Sequence, residues 1–252
     1  MANYYFSGQG SLSVGVRDAN GKPMGLVPLG NVPNLEISIE VTKFEHKESE
    51  TGSRAVDLTV VQEKKGTFTM TLEDMKASNL ALGFWGTDSV VAGAAVSDEQ
   101  VKVYHDKPVP LDFINVEGTT PAPVVGDDAT PTTTYVDGTD YTIDLANGTI
   151  TALSTGSITD LQTVFVDYTH NGSTKMEAFT ETSLERYMRF EGLNTIDNTA
   201  VVIDIFKAQL DPVTGYAVIN EDIAQMTVNG NVLLDSLQTG VSKFFTQRNV
   251  GS

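Results

Sequence analysis

The chain contains no cysteine, so disulfides, thiolate nucleophiles and cysteine-ligated zinc are excluded, and stability must come from packing and assembly. Basic residues are scarce: 16 Lys and Arg stand against 33 Asp and Glu, a formal net charge of −17. That balance weighs against gripping phosphate, and the chain is expected to repel DNA. No apolar run approaches the roughly 18 residues needed to cross a bilayer as a helix, so a soluble protein with no membrane role is expected. Met1-Ala2-Asn3-Tyr4-Tyr5-Phe6 lacks the basic start and longer apolar stretch of a secretory leader.

Catalytic signatures are missing as well. The three histidines, His46, His105 and His170, lie far apart with no second His at metal-ligand spacing, which predicts surface or hydrogen-bonded roles. Neither a Gly-x-Ser-x-Gly elbow nor a Gly-x-x-x-x-Gly-Lys phosphate loop occurs. Asp137, Asp140 and Asp144 cluster near a turn and could hold Ca²⁺ with carbonyl oxygens, but they lack EF-hand spacing and its terminal Glu. Asn147-Gly148-Thr149 and Asn171-Gly172-Ser173 match the glycosylation pattern, yet Asn-Gly at a hairpin tip already explains both. The expectation is a protein without catalytic residues, metal or cofactor.

What is present is alternation. Leu35, Ile37, Ile39 and Val41 interleave with Glu36, Ser38, Glu40 and Thr42, the period-2 pattern of a strand with one buried face. Phe44 to Arg54 is charged and reads as a long exposed loop. Val56, Leu58 and Val60, then Phe68, Met70 and Leu72, read as two strands turning through Glu63-Lys64-Lys65-Gly66. Thr71-x-x-Asp74 approximates a capping box and predicts a helix of about three turns that ends at Trp85-Gly86. Residues 117–134 are rich in Pro and Thr and linker-like. After them, Tyr141–Leu145 and Thr149–Leu153 flank Ala146-Asn147-Gly148 as a hairpin.

Between Lys107 and Lys175 there is no Lys or Arg but there are nine acids, which read as a solvated acidic surface. Longer strands follow in 178–190, 200–210 and 223–234. Val201 to Phe206 is too continuously apolar to leave one face wet. The tail, Lys243 to Arg248, suits docking on a neighbour or on the chain's own sheet. The organisation expected is mainly β: a core of 1–115 and 173–252 with one flanking helix, interrupted by a small inserted β module at 116–172.

One ordered set of elements resembles the tail tube proteins of long-tailed, non-contractile bacteriophages. It runs from Leu29-Gly30-Asn31-Val32 through the alternating strand to Glu45-His46-Lys47-Glu48-Ser49 with Gly52 and Arg54. It continues through Asp57-Leu58-Thr59 and Thr71-Leu72-Glu73-Asp74 to Leu82-Gly83-Phe84-Trp85-Gly86. Asp140 to Asp144, with Gly156-Ser157-Ile158 and Val166-Asp167-Tyr168-Thr169, is similar to a module of several virion structural proteins.

The resemblance implies a tail-tube-like β-sandwich or barrel that forms hexameric rings, stacked into a hollow tube in the virion tail and assembled in the host bacterial cytoplasm. It implies partners as well: further copies of the chain, tail-tip initiator and terminator proteins, and a tape measure protein in the lumen. DNA would pass through without specific binding. On that reading Glu45, His46, Lys47, Glu48, Glu50 and Arg54 are candidates for contacts between rings, Glu36 and Glu40 for acids facing the lumen, and the insertion for exterior decoration. The competing reading is a two-domain, β-rich carbohydrate- or cell-surface-binding module. Its weakness is aromatic content: the one tryptophan, Trp85, falls on the expected helix rather than on a sugar platform.

Overall fold

The structure, a computed structural model, describes residues 5–50 and 52–250; Met1 to Tyr4 of the leader reading lie outside them. The chain is mainly β, with seventeen strands and one helix among the described residues. In chain order these are β1 (Gly8–Gly15), β2 (Val27–Pro28), β3 (Asn34–Lys47), β4 (Val56–Leu72), α1 (Ala77–Gly83), β5 (Thr87–Val91), β6 (Ala94–Lys102), β7 (Val109–Pro110) and β8 (Val124–Gly126). They continue as β9 (Thr134–Tyr135), β10 (Tyr141–Asp144), β11 (Thr149–Ala152), β12 (Thr163–His170), β13 (Ser173–Glu177), β14 (Leu184–Asn194), β15 (Ala200–Leu210), β16 (Met226–Val232) and β17 (Phe245–Asn249).

Two compact units form: Met1–Asp88 with Met176–Ser252, and Ser89–Lys175. In the larger, β2-β1-β14-β15-β16-β4-β3 form one sheet, every pair antiparallel. β15 forks. Its Ala208–Leu210 end pairs with β16, while Val201 to Ile205 pair with β17. Period-2 alternation points Phe68, Met70 and Leu72 of β4, and Met226 and Val228 of β16, into a core shared with Leu12, Met188, Ile205 and Leu210. The C-terminal aromatics thus lie on the chain's own sheet, the second of the two dockings the tail allowed.

The helix is shorter than its sequence suggests. Thr71 and Leu72 still belong to β4, opposite Thr227 and Met226, so the presumed cap residue is committed to a ladder. The helix begins at Ala77, after Lys76, without a side-chain cap. Packing holds it instead: Leu82 joins the core, and buried Asn79 donates through Nδ2 to Leu29 O and Asp74 O, both at 2.7 Å. Trp85 follows at φ 49, a left-handed conformation that ends the helix, and its indole N–H donates to Leu210 O at 3.0 Å.

The expected turn through Glu63 to Gly66 does not exist. β4 runs unbroken from Val56 to Leu72, with Lys64 and Lys65 opposite Val41 and Glu40 of β3. These charges are tolerated mid-strand because the ribbon is wet there, so no turn is needed to keep them in solvent.

The smaller unit has two sheets, β6-β12-β8-β9 and β10-β11-β7, around Val101, Val103, Val125, Ile150, Val164 and Val166. It starts at Ser89, not at 116. β6 pairs along most of β12, and β7 pairs with β11, so the stretch before 116 supplies an outer strand to each sheet and Val103 and Leu111 to the core. The hairpin expected through Ala146-Asn147-Gly148 is present as β10–β11, its loop longer by one residue, Leu145, and Gly148 takes φ +63.

Several acids of this unit are turn acceptors rather than a merely solvated surface. Asp140 accepts the N–H groups of Val136 at 2.8 Å and Ser157 at 2.7 Å. Asp144 accepts from Ala146 and Asn147, and Asp127 from Thr133 and the Thr132 hydroxyl. These bonds lower the pKa of each. Asp140 and Asp144 therefore serve the backbone, and no metal-holding group of three or more His, Cys, Asp or Glu occurs among the described residues. No helix there is long and apolar enough to cross a membrane.

Candidate assembly interface

Four of the eleven residues expected to form a charged loop stand instead in a strand of a long β-hairpin: Phe44 to Lys47 complete β3, and β4 begins at Val56. The error has a physical cause. Glu45, His46 and Lys47 continue the strand alternation, but with no partner on either face the strand has no buried positions to betray it.

The tip is closed locally. Glu48 N donates to Ala55 O at 2.9 Å, and the Glu48 carboxylate accepts from Glu50 N at 2.9 Å and the Ser53 hydroxyl at 2.6 Å. Gly52 and Arg54 take φ 77 and φ 51, the left-handed residues that reverse the chain. His46 faces Asp57 with Nδ1 2.6 Å from Oδ1. Glu45 lies opposite Thr59, and Lys47 opposite Val56. The structure thus brings Glu45, His46, Lys47, Glu48, Glu50 and Arg54 together at the distal end of one arm.

Glu36 and Glu40 lie at the arm's base. They are exposed and opposite Thr69 and Lys65, on the face of β3 away from Leu35 and Ile37.

What sequence reasoning missed is apolar. Ile39, Val41, Phe44, Val56, Leu58, Val60 and Val61 are all exposed on this two-stranded ribbon. Register sorts them. Phe44 with Val60, and Leu58 beside His46, share one face; Ile39, Val41 and Val61 continue the core-side stripe of Leu35 and Ile37 outward on the other. A β-bulge between Thr42 and Lys43, where Gln62 has no partner, turns the ribbon midway. The signal was present in the sequence, as alternation running past Thr42 and resuming at Val56.

The arm's backbone is as unsatisfied as its faces. Among the described residues β3 pairs only with β4, and β16 pairs with β4 only over Gly66 to Leu72, so the arm portion of β4 has an open edge too. β2 and β17 are the other open edges of this sheet. At the arm's base lies a cleft of about 770 Å³, lined by apolar Leu12, Leu35, Ile37, Phe190, Ile203 and Phe245 and by the amides of Gln9, Asn31 and Gln247, and bordered by the open-edged β3 and β17. Edges of this length are normally blunted or covered, and exposed apolar ribbons mark places where another chain binds.

The other two histidines serve the smaller unit. His105 Nε2 lies 2.8 Å from Ile158 O, and buried His170 stacks on Phe113 with ring centroids 4.1 Å apart.

Comparison with known proteins adds a family but no activity. The model of the family described as "Protein of unknown function UCP028589" matches residues 5–248. No curated protein sequence matches the chain.

Proposed function

We propose that this chain, which belongs to that family over nearly its whole length, is a self-assembling structural subunit of a bacteriophage tail tube. The observation that carries the reading is the β3–β4 arm, a ribbon that exposes large apolar side chains among charged ones on both faces and is open along both edges. Two strands in water are marginal at best without a face to pack on, and a second copy supplies one.

In this account the arm lies against the next copy, its charged tip of Glu45, His46, Lys47, Glu48, Glu50 and Arg54 meeting charges on an adjacent ring. Open-edged strands pair between neighbours. An arm on one surface and its receiving face on another make a heterologous contact, which propagates into rings or filaments. We place Glu36 and Glu40 on the inner wall, where carboxylates would repel DNA phosphates across a screening layer of about 8 Å. The smaller unit then decorates the outside. Hexameric rings, an initiator, a terminator and a lumenal tape measure protein complete the tube, and the chain itself performs no catalysis.

Electron microscopy of the concentrated, purified chain tests this. Rings or hollow filaments are expected, spontaneously or after seeding with preformed tubes. Dispersed particles that instead retain a glycan would favour the binding-module alternative.

A further inference from the structure

The larger unit holds a second cavity, of about 530 Å³, between α1 and the turn joining β1 to β2. Its floor is apolar: Val14, Leu29, Ala81 and Leu82 are all buried. Its rim exposes Val16, Met24, Leu26 and Val27 to solvent. Ser78, Asn79, Thr87, Asp88 and Glu181 complete the lining, so an apolar floor opens onto a rim of aliphatic and polar side chains.

One cation opens onto this cavity, Arg186 of β14, with the acids Asp88 and Glu181 in the same lining. The other two partly buried arginines each have a carboxylate: Arg17 has Asp235 at 2.8 Å, and Arg189 has Asp204, which the exposed Arg248 also reaches. Arg186 has none among the described residues. Its guanidinium donates only to its neighbour's carbonyl, Glu185 O, at 3.0 Å. Burial lowers its pKa, with Glu181 opposing from beyond ion-pair distance. A half-buried guanidinium without a counter-ion is costly, and a carboxylate brought in from outside would relieve that cost.

The same chain presents the complementary shape. Between β15 and β16 a loop carries Val218-Ile219-Asn220-Glu221-Asp222-Ile223, with Val218 77%, Ile219 96% and Ile223 75% exposed beside two exposed acids. A solvated loop has no use for three bare aliphatic side chains. Its root is fixed, Val213 N donating to Gly83 O at 2.8 Å and Tyr216 meeting Phe84 edge-on.

We propose that the α1 cavity receives this loop from a second copy, with Ile219 on the apolar floor and the Glu221–Asp222 carboxylates at Arg186. The inference rests on the self-assembly reading and supplies it with a second, independent contact between copies. It adds direction: a socket and a plug on one chain, each left open, link copies head to tail.

A charge-reversal cycle on the full chain, read by sedimentation velocity, tests it. Arg186→Glu alone, and Glu221→Lys with Asp222→Lys, should each weaken association at least about tenfold, and the combined variant should recover most of that loss. Because Arg186→Glu could unfold the sheet, Ile219→Asp in the exposed loop provides a fold-neutral arm, checked by circular dichroism. It should weaken association comparably. In parallel, a synthetic peptide of residues 216–224 should bind the wild-type monomer and bind Arg186→Gln at least about tenfold more weakly. No rescue and no peptide binding, while tubes still form, would overturn the socket and spare the tube. Coupling that does not depend on concentration would mean the loop closes on its own cavity, and would overturn it too.

Discussion

Replacing Phe44, Leu58 and Val60 together by serine should dissolve the assembly and spare the fold. Phe44 and Val60 are paired across the ribbon, Leu58 lies on the same face, and the three are 48%, 53% and 47% exposed in the free chain. Fully burying a side chain of this kind contributes roughly 1.5–3 kcal/mol. About half of that remains to be gained, so docking would yield roughly 0.7–1.5 kcal/mol each and about 2–4 kcal/mol for the set. At about 1.4 kcal/mol per tenfold, association should weaken roughly 30- to 700-fold.

The isolated chain should lose much less. Two cross-strand pairs disappear, Phe44 with Val60 and Leu58 with His46, at roughly 0.2–1 kcal/mol each, and no buried core residue is touched. The critical concentration from sedimentation velocity and Tm from calorimetry measure the two effects separately. An unchanged critical concentration would refute the docking role. A fall in Tm beyond about 8 °C would show that these side chains already belong to the monomer's own packing.

Two further outcomes follow from the smaller unit. Deleting residues 89–175 and bridging the ends with a short Gly-Ser linker should leave a soluble chain with one cooperative calorimetric transition. Deleting only 118–171 strips β12 from β6 and β11 from β7, lays bare Val101, Val103 and Leu111, and should aggregate. Asp106, Glu117, Asp127, Asp140 and Asp144 all have pKa values lowered by side-chain and backbone hydrogen bonds. Their stabilisation is present above the ordinary values of 3.8 and 4.5 and is lost as pH falls through the depressed ones. Calorimetry should therefore show the smaller unit's transition falling below about pH 4, less steeply in Asp140→Asn; equal slopes would count against these bonds.

Much of the fold could be read from the sequence because one face of each core strand is buried. Phe68, Met70 and Leu72, and Met226 and Val228, alternate because burial makes them do so, and the mainly-β class with one helix follows. The misreadings have separate physical causes. Where β3 and β4 leave the core, nothing on the ribbon is buried, so Glu45 to Lys47 looked like loop and Glu63 to Gly66 like a turn. Thr71 and Asp74 suited a capping box, but pairing with β16 claimed Thr71 first. The module's boundary lay hidden because β6 and β7 precede the Pro- and Thr-rich stretch yet pair beyond it. The charged residues of the arm tip were legible; the exposed apolar residues beside them, which carry the proposed contact, gained meaning only once register placed them on shared faces.

Hydrogen exchange on the arm, compared between dilute monomer and concentrated protein, tests the central claim most directly. The account predicts that amides of β3 and β4 from Ile39 to Lys47 and from Val56 to Val61 exchange quickly in the monomer and become protected on assembly, together with the open edge of β17. Arm amides that exchange at the same rate at every concentration, with the chain remaining a monomer, would contradict it.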